Sequence, residues 1–433
     1  MSEYIIKKTP GNTDWFIHDR FGMFIHFGLY ALPARHEWIK QKEMIPEDKY
    51  EQYFKYFNPD MLDAKDWARQ AKNAGMKYAV LTTKHHEGFC LFDTKYTDYK
   101  ITNTAYGKDL VKEYVEAFRA EGLKVGFYYS LLDWHHPDFT IDGFHPRRYD
   151  ENAIELNKGR DMHRYAEYMR NQVTELMTNY GKIDILWFDF SYSKNPQPRD
   201  WMKAKGKDDW ESEKLIALVR KLQPGIMINN RTELEEDFRT PEQSRVTDWP
   251  EDKETGEKLV WEGCQTLSGS WGYFRDEMTW KSPEMLVALL IKTVSRGGNL
   301  IMNVGPTSRG YLDYRAEDAL KAYGDWMKYN SRSIYGCTMA DREFKEPDGC
   351  RLTQSSDGKR VYVHLLDYPF SKLELHGFAG KIDYAQFLHD GSELFFRDEN
   401  VSGGNADETV TLIDLPIVKP RVIVPVIELF LKD

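Results

Sequence analysis

The feature that most restricts this chain is a repeated alternation of strand-like and helix-like segments over its first three quarters. Residues 21–27 read as a strand. Residues 60–73 carry apolar groups at helical spacing and stop at Gly75, and residues 77–83 return to a strand pattern. The unit recurs as a helix over 108–120, a stop at Gly122 and a strand over 124–130. It recurs again as a helix over 162–180 and a strand ending at Asp189, then as a helix over 211–222 and a strand over 226–229. A helix over 283–295, a strand over 299–304 and a helix over 316–329 complete the series. Repeated units of this kind imply a parallel sheet joined by right-handed crossovers. Six strands are clear, and residues 246–266 have room for two more. The pattern predicts an α/β fold, a (β/α)8-like barrel over residues 1–336. An open doubly wound sheet is the rival, but no glycine-rich phosphate loop follows any of the strands.

The texture changes after Gly336. Residues 360–365, 372–375 and 410–413 alternate at period two, and Asp357-Gly358 and Ser402-Gly403-Gly404 supply turns between such runs. Residues 337–433 therefore read as a C-terminal antiparallel β-sandwich packed on the barrel, with no low-complexity linker between the two.

A net charge of -10 argues against nucleic acid as a partner, since a polyanion binder needs a basic face. No run approaches the ~18 apolar residues that cross a bilayer, so no membrane partner is expected. The N-terminal residues 1–8 lack the apolar core of a signal peptide, and Cys90, Cys264, Cys337 and Cys350 show no CxxC or zinc-ligand spacing. Together these point to reduced thiols in a cytoplasmic protein; Cys337 and Cys350 could pair only if the chain were exported.

Polar and aromatic residues collect just after the predicted strands. His26 and His36-Glu37-Trp38 follow the first, Lys84-His85-His86-Glu87 the second, and Asp133-Trp134-His135-His136 the third. The apolar run Ile183-Asp184-Ile185-Leu186-Trp187-Phe188-Asp189 ends on two rings and a carboxylate, and Asn229-Asn230-Arg231 follows the next strand. A barrel gathers all these ends at one rim. One histidine alone is more often structural; five such strand ends together are better explained by a site.

Two chemistries fit a rim of histidines and acids. Metal-assisted hydrolysis is the weaker, because adjacent His85 and His86 would face opposite sides of a strand and no HxH or HExxH pattern occurs. No metal or cofactor is therefore expected. The other is glycoside cleavage by two carboxyl groups. Asp189 suits the nucleophile, and the acid-rich stretch 233–242 offers several candidates for the acid/base, among which spacing does not choose. The many aromatic residues near strand ends suit sugar rings, which present C–H faces with a rim of hydroxyls.

Several segments resemble the α-L-fucosidases of glycoside hydrolase family 29. They are Phe21-Gly22-Met23-Phe24-Ile25-His26-Phe27-Gly28, Lys84-His85-His86-Glu87-Gly88-Phe89, Tyr128-Tyr129-Ser130, Trp187-Phe188-Asp189, Asp237-Phe238-Arg239-Thr240-Pro241-Glu242, Trp261-Glu262-Gly263-Cys264, Ser270-Trp271-Gly272-Tyr273 and Gly297-Gly298-Asn299-Leu300-Ile301-Met302-Asn303-Val304-Gly305-Pro306. The likeness keeps its order over roughly residues 10–340. It implies a retaining exo-fucosidase that removes terminal α-L-fucose from fucosylated oligosaccharides or glycoconjugates through a covalent fucosyl-enzyme. By that resemblance Asp189 is the nucleophile and Glu242 the acid/base, with Glu262 and Asp237 as reserves. The implied sugar contacts are His26, Glu37, Trp38, His85, His86, Tyr129, Trp187, Arg231 and Trp271. Phe190 stands where the family often has glycine. A barrel exo-glycosidase for another sugar such as galactose, or a non-catalytic fucose-binding protein, are the alternatives. A homo-oligomer is allowed for, because a neighbouring subunit could complete the pocket.

Overall fold

The computed structural model describes residues 4–244, 246–401 and 408–432. Seven strands form one curled sheet: β1 (Phe21–Ile25), β2 (Tyr78–Lys84), β3 (Lys124–Ser130), β4 (Ile185–Asp189), β5 (Met227–Ile228), β6 (Glu262–Thr266) and β7 (Asn299–Val304). Their order is β5-β4-β3-β2-β1-β7-β6 and every pairing is parallel. The gap between β5 and β6 is spanned by the stretch at 237–243. Parallel bridges join Asn229 to Phe238 on one side, and Arg239 to Trp261 and Glu242 to Cys264 on the other. The C-terminal part of the acid-rich stretch is thus the eighth wall of the barrel. It escapes the strand pattern because Pro241 has no N–H to give to a ladder. Residues 246–266 supply one of the two expected strands, β6, and this earlier stretch supplies the other wall.

Crossover helices pack outside the sheet, and their starts fall later than apolar spacing predicts. The helix expected from residue 60 runs Ala64–Asn73, with the Asp63 side chain accepting from the Lys65 N–H. The one expected from 108 runs Leu110–Ala120, capped by Asp109. An aspartate that satisfies an orphan N–H ends the helix rather than extending it. Gly75, at φ +86°, makes the predicted stop.

Two apolar cores result from strand alternation. Phe24, Tyr78, Val80, Tyr128, Ile185, Trp187 and Ile301 fill the barrel interior, while Met23, Leu81, Phe127, Leu186 and Phe188 pack under the helices.

The C-terminal strands are β8 (Cys337–Met339), β9 (Cys350–Ser355), β10 (Arg360–Leu365), β11 (Lys372–Leu375), β12 (Ile382–Phe387), β13 (Phe396–Val401), β14 (Glu408–Asp414) and β15 (Val426–Leu431). They make a five-stranded sheet, β12-β15-β10-β9-β8, and a three-stranded sheet, β11-β14-β13, all antiparallel. Leu352, Val361, Val363, Leu373, Ile413 and Ile427 form their shared core. Asp357-Gly358 turns between β9 and β10; the predicted turn Ser402-Gly403-Gly404 lies outside the described residues. The buried Arg20 guanidinium joins barrel to sandwich by donating to the carbonyls of Cys337 and Gly297, each at 2.8 Å.

Candidate active site

On each barrel strand alternate side chains face inward, and the C-terminal ends meet at one rim. Ile185, Trp187 and Asp189 take that inward face on β4. Asp189 is 9% exposed. Its Oδ1 accepts from Arg231 Nη1 at 2.7 Å and its Oδ2 from the Tyr128 hydroxyl at 2.9 Å, with His86 Nε2 4.0 Å from Oδ2. The same Arg231 Nη1 lies 2.9 Å from Glu242 Oε2. Two oxygens touching one nitrogen can be no further apart than those contacts laid end to end, about 5.6 Å.

Arg231 is held on every side. Its Nε donates to Thr240 Oγ1 at 2.9 Å, its Nη2 donates to the Thr240 carbonyl at 3.1 Å, and its Cζ sits 4.6 Å from the centre of the Trp187 ring. Burial opposes its charge, but Asp189, Cys264 and Glu242 together outweigh burial and raise the guanidinium above its ordinary value. The arrangement fixes two acids beside each other through one guanidinium. Among the described residues no group of three or more His, Cys, Asp or Glu is placed to hold an ion.

Around Asp189 the pocket wall is aromatic and imidazole: Phe24, His26, Trp38, His85, His86, Tyr128, Trp187 and Trp271. Burial lowers His26 and His86 to about 4 and His85 well below its ordinary value, so all three are neutral near pH 7. His85 Nδ1 is buried with no hydrogen-bond partner among the described residues. His26 Nδ1 lies 2.6 Å from Asn303 Oδ1, and Asn303 Nδ2 donates to the Trp271 carbonyl at 2.6 Å. Glu37 holds the same loop, with Oε2 accepting from the N–H groups of Trp271 at 3.2 Å and Gly272 at 2.9 Å. Although burial acts against it, bonds from His36 and Gly272 keep the Glu37 carboxyl at about 2. Gly305, past the end of β7, is required here, since a Cβ would lie 2.7 Å from Tyr273 N and 2.8 Å from the Trp271 carbonyl. Glu37 and Asn303 thus set the Trp271 ring from both sides of its loop.

Beyond Glu242 the pocket opens into an outer cavity of about 690 Å³, lined in part by Phe190, Tyr192, Asn195, Asn230, Arg239 and Trp261. The Glu242 side chain, 42% exposed, borders both spaces. Phe190 has φ +79° and packs 5.1 Å from Trp38 and 5.2 Å from His86, dividing the inner pocket from the outer cavity.

Three expected site residues lie elsewhere. Tyr129 faces the helix layer and donates to Gln172 Oε1 at 2.7 Å; the inward tyrosine is its neighbour Tyr128, because adjacent strand residues face opposite sides. Asp237 is likewise on the outer face of its stretch, accepting from the N–H groups of Gly11 and Ile228, each at 2.7 Å, and from Arg220 at 2.6 Å. Glu262 faces inward but is fully buried below the pocket, so neither reserve can reach a leaving group. Tyr128, Thr240 and Asn303 were missed. Strand parity with Trp187 and Asp189 would have found Tyr128; Thr240 and Asn303 lie inside family-like segments, but nothing in the sequence gave either a role.

A family model described as Alpha-L-fucosidase matches residues 6–332. The chain is 30% identical over 388 residues to the human plasma alpha-L-fucosidase, covering 82% of this chain and 76% of that protein. It is 27% identical over 386 residues to the human tissue alpha-L-fucosidase, covering 82% and 76%. Among solved structures, alpha-L-fucosidase isoenzyme 1 from Paenibacillus thiaminolyticus is similar at TM-score 0.87 and 44% identity, over 97% of this chain and 99% of that one. A glycoside hydrolase family 29 alpha-L-fucosidase from Bacteroides thetaiotaomicron, trapped as a covalent intermediate with 2-fluoro-fucosyl fluoride, is similar at TM-score 0.82 and 28% identity, over 100% of both chains. The expected cytoplasmic location does not stand, because the curated relatives are plasma and tissue enzymes; the four buried free thiols say nothing of compartment. No helix among the described residues is long and apolar enough to cross a membrane. Motif order, barrel-rim geometry and both kinds of likeness agree, and the chain belongs to the alpha-L-fucosidase family, glycoside hydrolase family 29.

Proposed function

We propose that this protein is a retaining exo-α-L-fucosidase that releases terminal α-L-fucose from fucosylated oligosaccharides or glycoconjugates, with Asp189 as nucleophile and Glu242 as acid/base. The observation that carries the reading is the single Arg231 nitrogen touching both carboxyl groups, which holds their oxygens within about 5.6 Å. Retaining glycosidases place the pair roughly 5–5.5 Å apart, and inverting enzymes about 6.5–9.5 Å apart to admit a water between them.

The division of roles follows from surroundings. Asp189 is enclosed and oriented by Tyr128 and Arg231, which suits a carboxylate that must form a bond with the anomeric carbon. Glu242 borders the outer cavity, where the leaving group departs and water enters. It protonates the glycosidic oxygen while Asp189 attacks, and then takes a proton from the water that cleaves the fucosyl-Asp189 ester. Neutral His26, His85 and His86 can each donate and accept, as ring hydroxyls require, and His85 Nδ1, without a partner among the described residues, is one such position. Trp187 and Trp271 offer flat faces for the sugar's methyl side. The barrel of residues 1–336 carries all these groups, with residues 337–433 as its accessory sandwich.

Proton NMR of the first product anomer tests the reading. Release of α-L-fucose, mutarotating afterwards, is expected; β-L-fucose as the first product overturns it.

A further inference from the structure

Glu262 lies on β6 at the barrel interior, wholly buried. Among the described residues no lysine, arginine or histidine forms an ion pair with it. Its polar side-chain contacts among the described residues are the Tyr78 hydroxyl at 2.5 Å and Trp187 Nε1 at 3.1 Å. Burying a carboxyl group without a counter-charge costs folding free energy that an aliphatic side chain would not. That cost, and the pairing with one pocket residue, call for an account.

The only polar atom of an indole is its N–H, and a tryptophan ring held at that atom cannot turn about its side-chain bonds. Glu262 supplies the acceptor that fixes Trp187. The Trp187 ring supports the Arg231 guanidinium, 4.6 Å from the ring centre, and Arg231 Nη1 touches Asp189 at 2.7 Å and Glu242 at 2.9 Å. A continuous chain of contacts thus runs from the interior of the barrel to both acids.

We propose that Glu262 is a positioning residue that fixes the Trp187 ring, and through it the Arg231 guanidinium, in the orientation that sets the two reacting carboxyl groups. Burial raises the Glu262 carboxyl to about 7, against the bonds from Tyr78 and Trp187, which lower it. The proposal rests on the roles given above to Asp189 and Glu242. Loss of turnover in Asp189→Ala tests those roles independently of every variant below.

The test is a set of kcat, KM and melting-temperature measurements on an aryl α-L-fucoside, with Glu262→Gln, Glu262→Leu, Trp187→Phe and the Trp187→Phe/Glu262→Leu double variant. Gln keeps a carbonyl acceptor, and kcat within about threefold of the parent is expected. Leu removes the acceptor, and a kcat loss of about 10- to 100-fold is expected with KM moving less than about threefold, as for a sub-ångström misplacement of catalytic groups. In the Trp187→Phe background the Leu change should add nothing, because the N–H it serves is gone. Should Leu not fold, Glu262→Met, of similar length, carries the same comparison. Parent-like kcat in Leu or Met overturns the proposal. So does a Gln variant as impaired as Leu, or losses that multiply in the double variant.

Discussion

Replacing Glu262 by Gln should make the protein more heat-stable, and only above mildly acidic pH. Burial raises the Glu262 carboxyl from 4.5 to about 7. The fold therefore binds this proton more tightly than the unfolded chain does. Its contribution is intact below about pH 4.5 and is lost as pH rises through about 7. A difference of that size is worth roughly 3 kcal/mol, at about 1.36 kcal/mol for each tenfold change in proton affinity. Gln cannot ionise and escapes the loss. With 433 residues and an unfolding entropy of about 2.1 cal/mol/K per residue, 3 kcal/mol corresponds to a melting-temperature change of about 3 °C. The assay is calorimetry on both proteins from pH 4.5 to 8, reading the gap between their melting temperatures. Glu87, also raised to about 7 by burial, and the buried histidines titrate equally in both proteins and cancel in that gap. The gap should widen by about 3 °C in favour of Gln across this range. A gap that is constant with pH, or one that widens toward acid, refutes the reasoning.

Asp189→Ala should abolish hydrolysis, and added azide should restore turnover on an activated aryl fucoside with β-fucosyl azide as product; near-parental activity without azide would remove Asp189 from its role. Glu242→Gln should impair oligosaccharides, whose leaving groups need a proton, far more than aryl fucosides with good leaving groups, so equal losses in kcat/KM on both would move the acid elsewhere. Tyr128→Phe deletes a hydrogen bond to a charged carboxylate, worth about 1.5–3 kcal/mol or about 10- to 150-fold in kcat/KM, whereas Tyr129→Phe should change kcat/KM less than about twofold. The opposite ranking of the two tyrosines in steady-state kinetics would reverse the strand parity argued here.

Much of the fold was readable because buried parallel strands announce themselves as short apolar runs. β3 and β7 fall where the sequence placed them, at 124–130 and 299–304. What hid was whatever depended on a neighbour distant in the chain. The wall at 237–243 has neither an apolar run nor a continuous ladder. It becomes a wall through Asn229 on one side and Trp261 and Cys264 on the other. Parity, available from the sequence once β4 was recognised, separates Tyr128 from Tyr129, and within the irregular wall it separates inward Glu242 from outward Asp237. Glu262 satisfies the same parity, yet depth along the barrel axis excludes it from chemistry, and depth follows from register between strands rather than from any local pattern.

The two acids stand on supports of unequal stiffness. Asp189 ends a strand paired with Ser130, and its carbonyl accepts from the Leu131 N–H at 2.9 Å. Glu242 follows a proline, and nearby the backbone is fastened to β6 by the Pro241 carbonyl at 3.3 Å and the Gln243 N–H at 3.1 Å. A change of backbone in the 237–243 wall would therefore shift the proton donor directly, and would reach the nucleophile only through Thr240 and Arg231. The departing group's side of the reaction thus rests on isolated bridges, and the sugar's side on a continuous strand ladder.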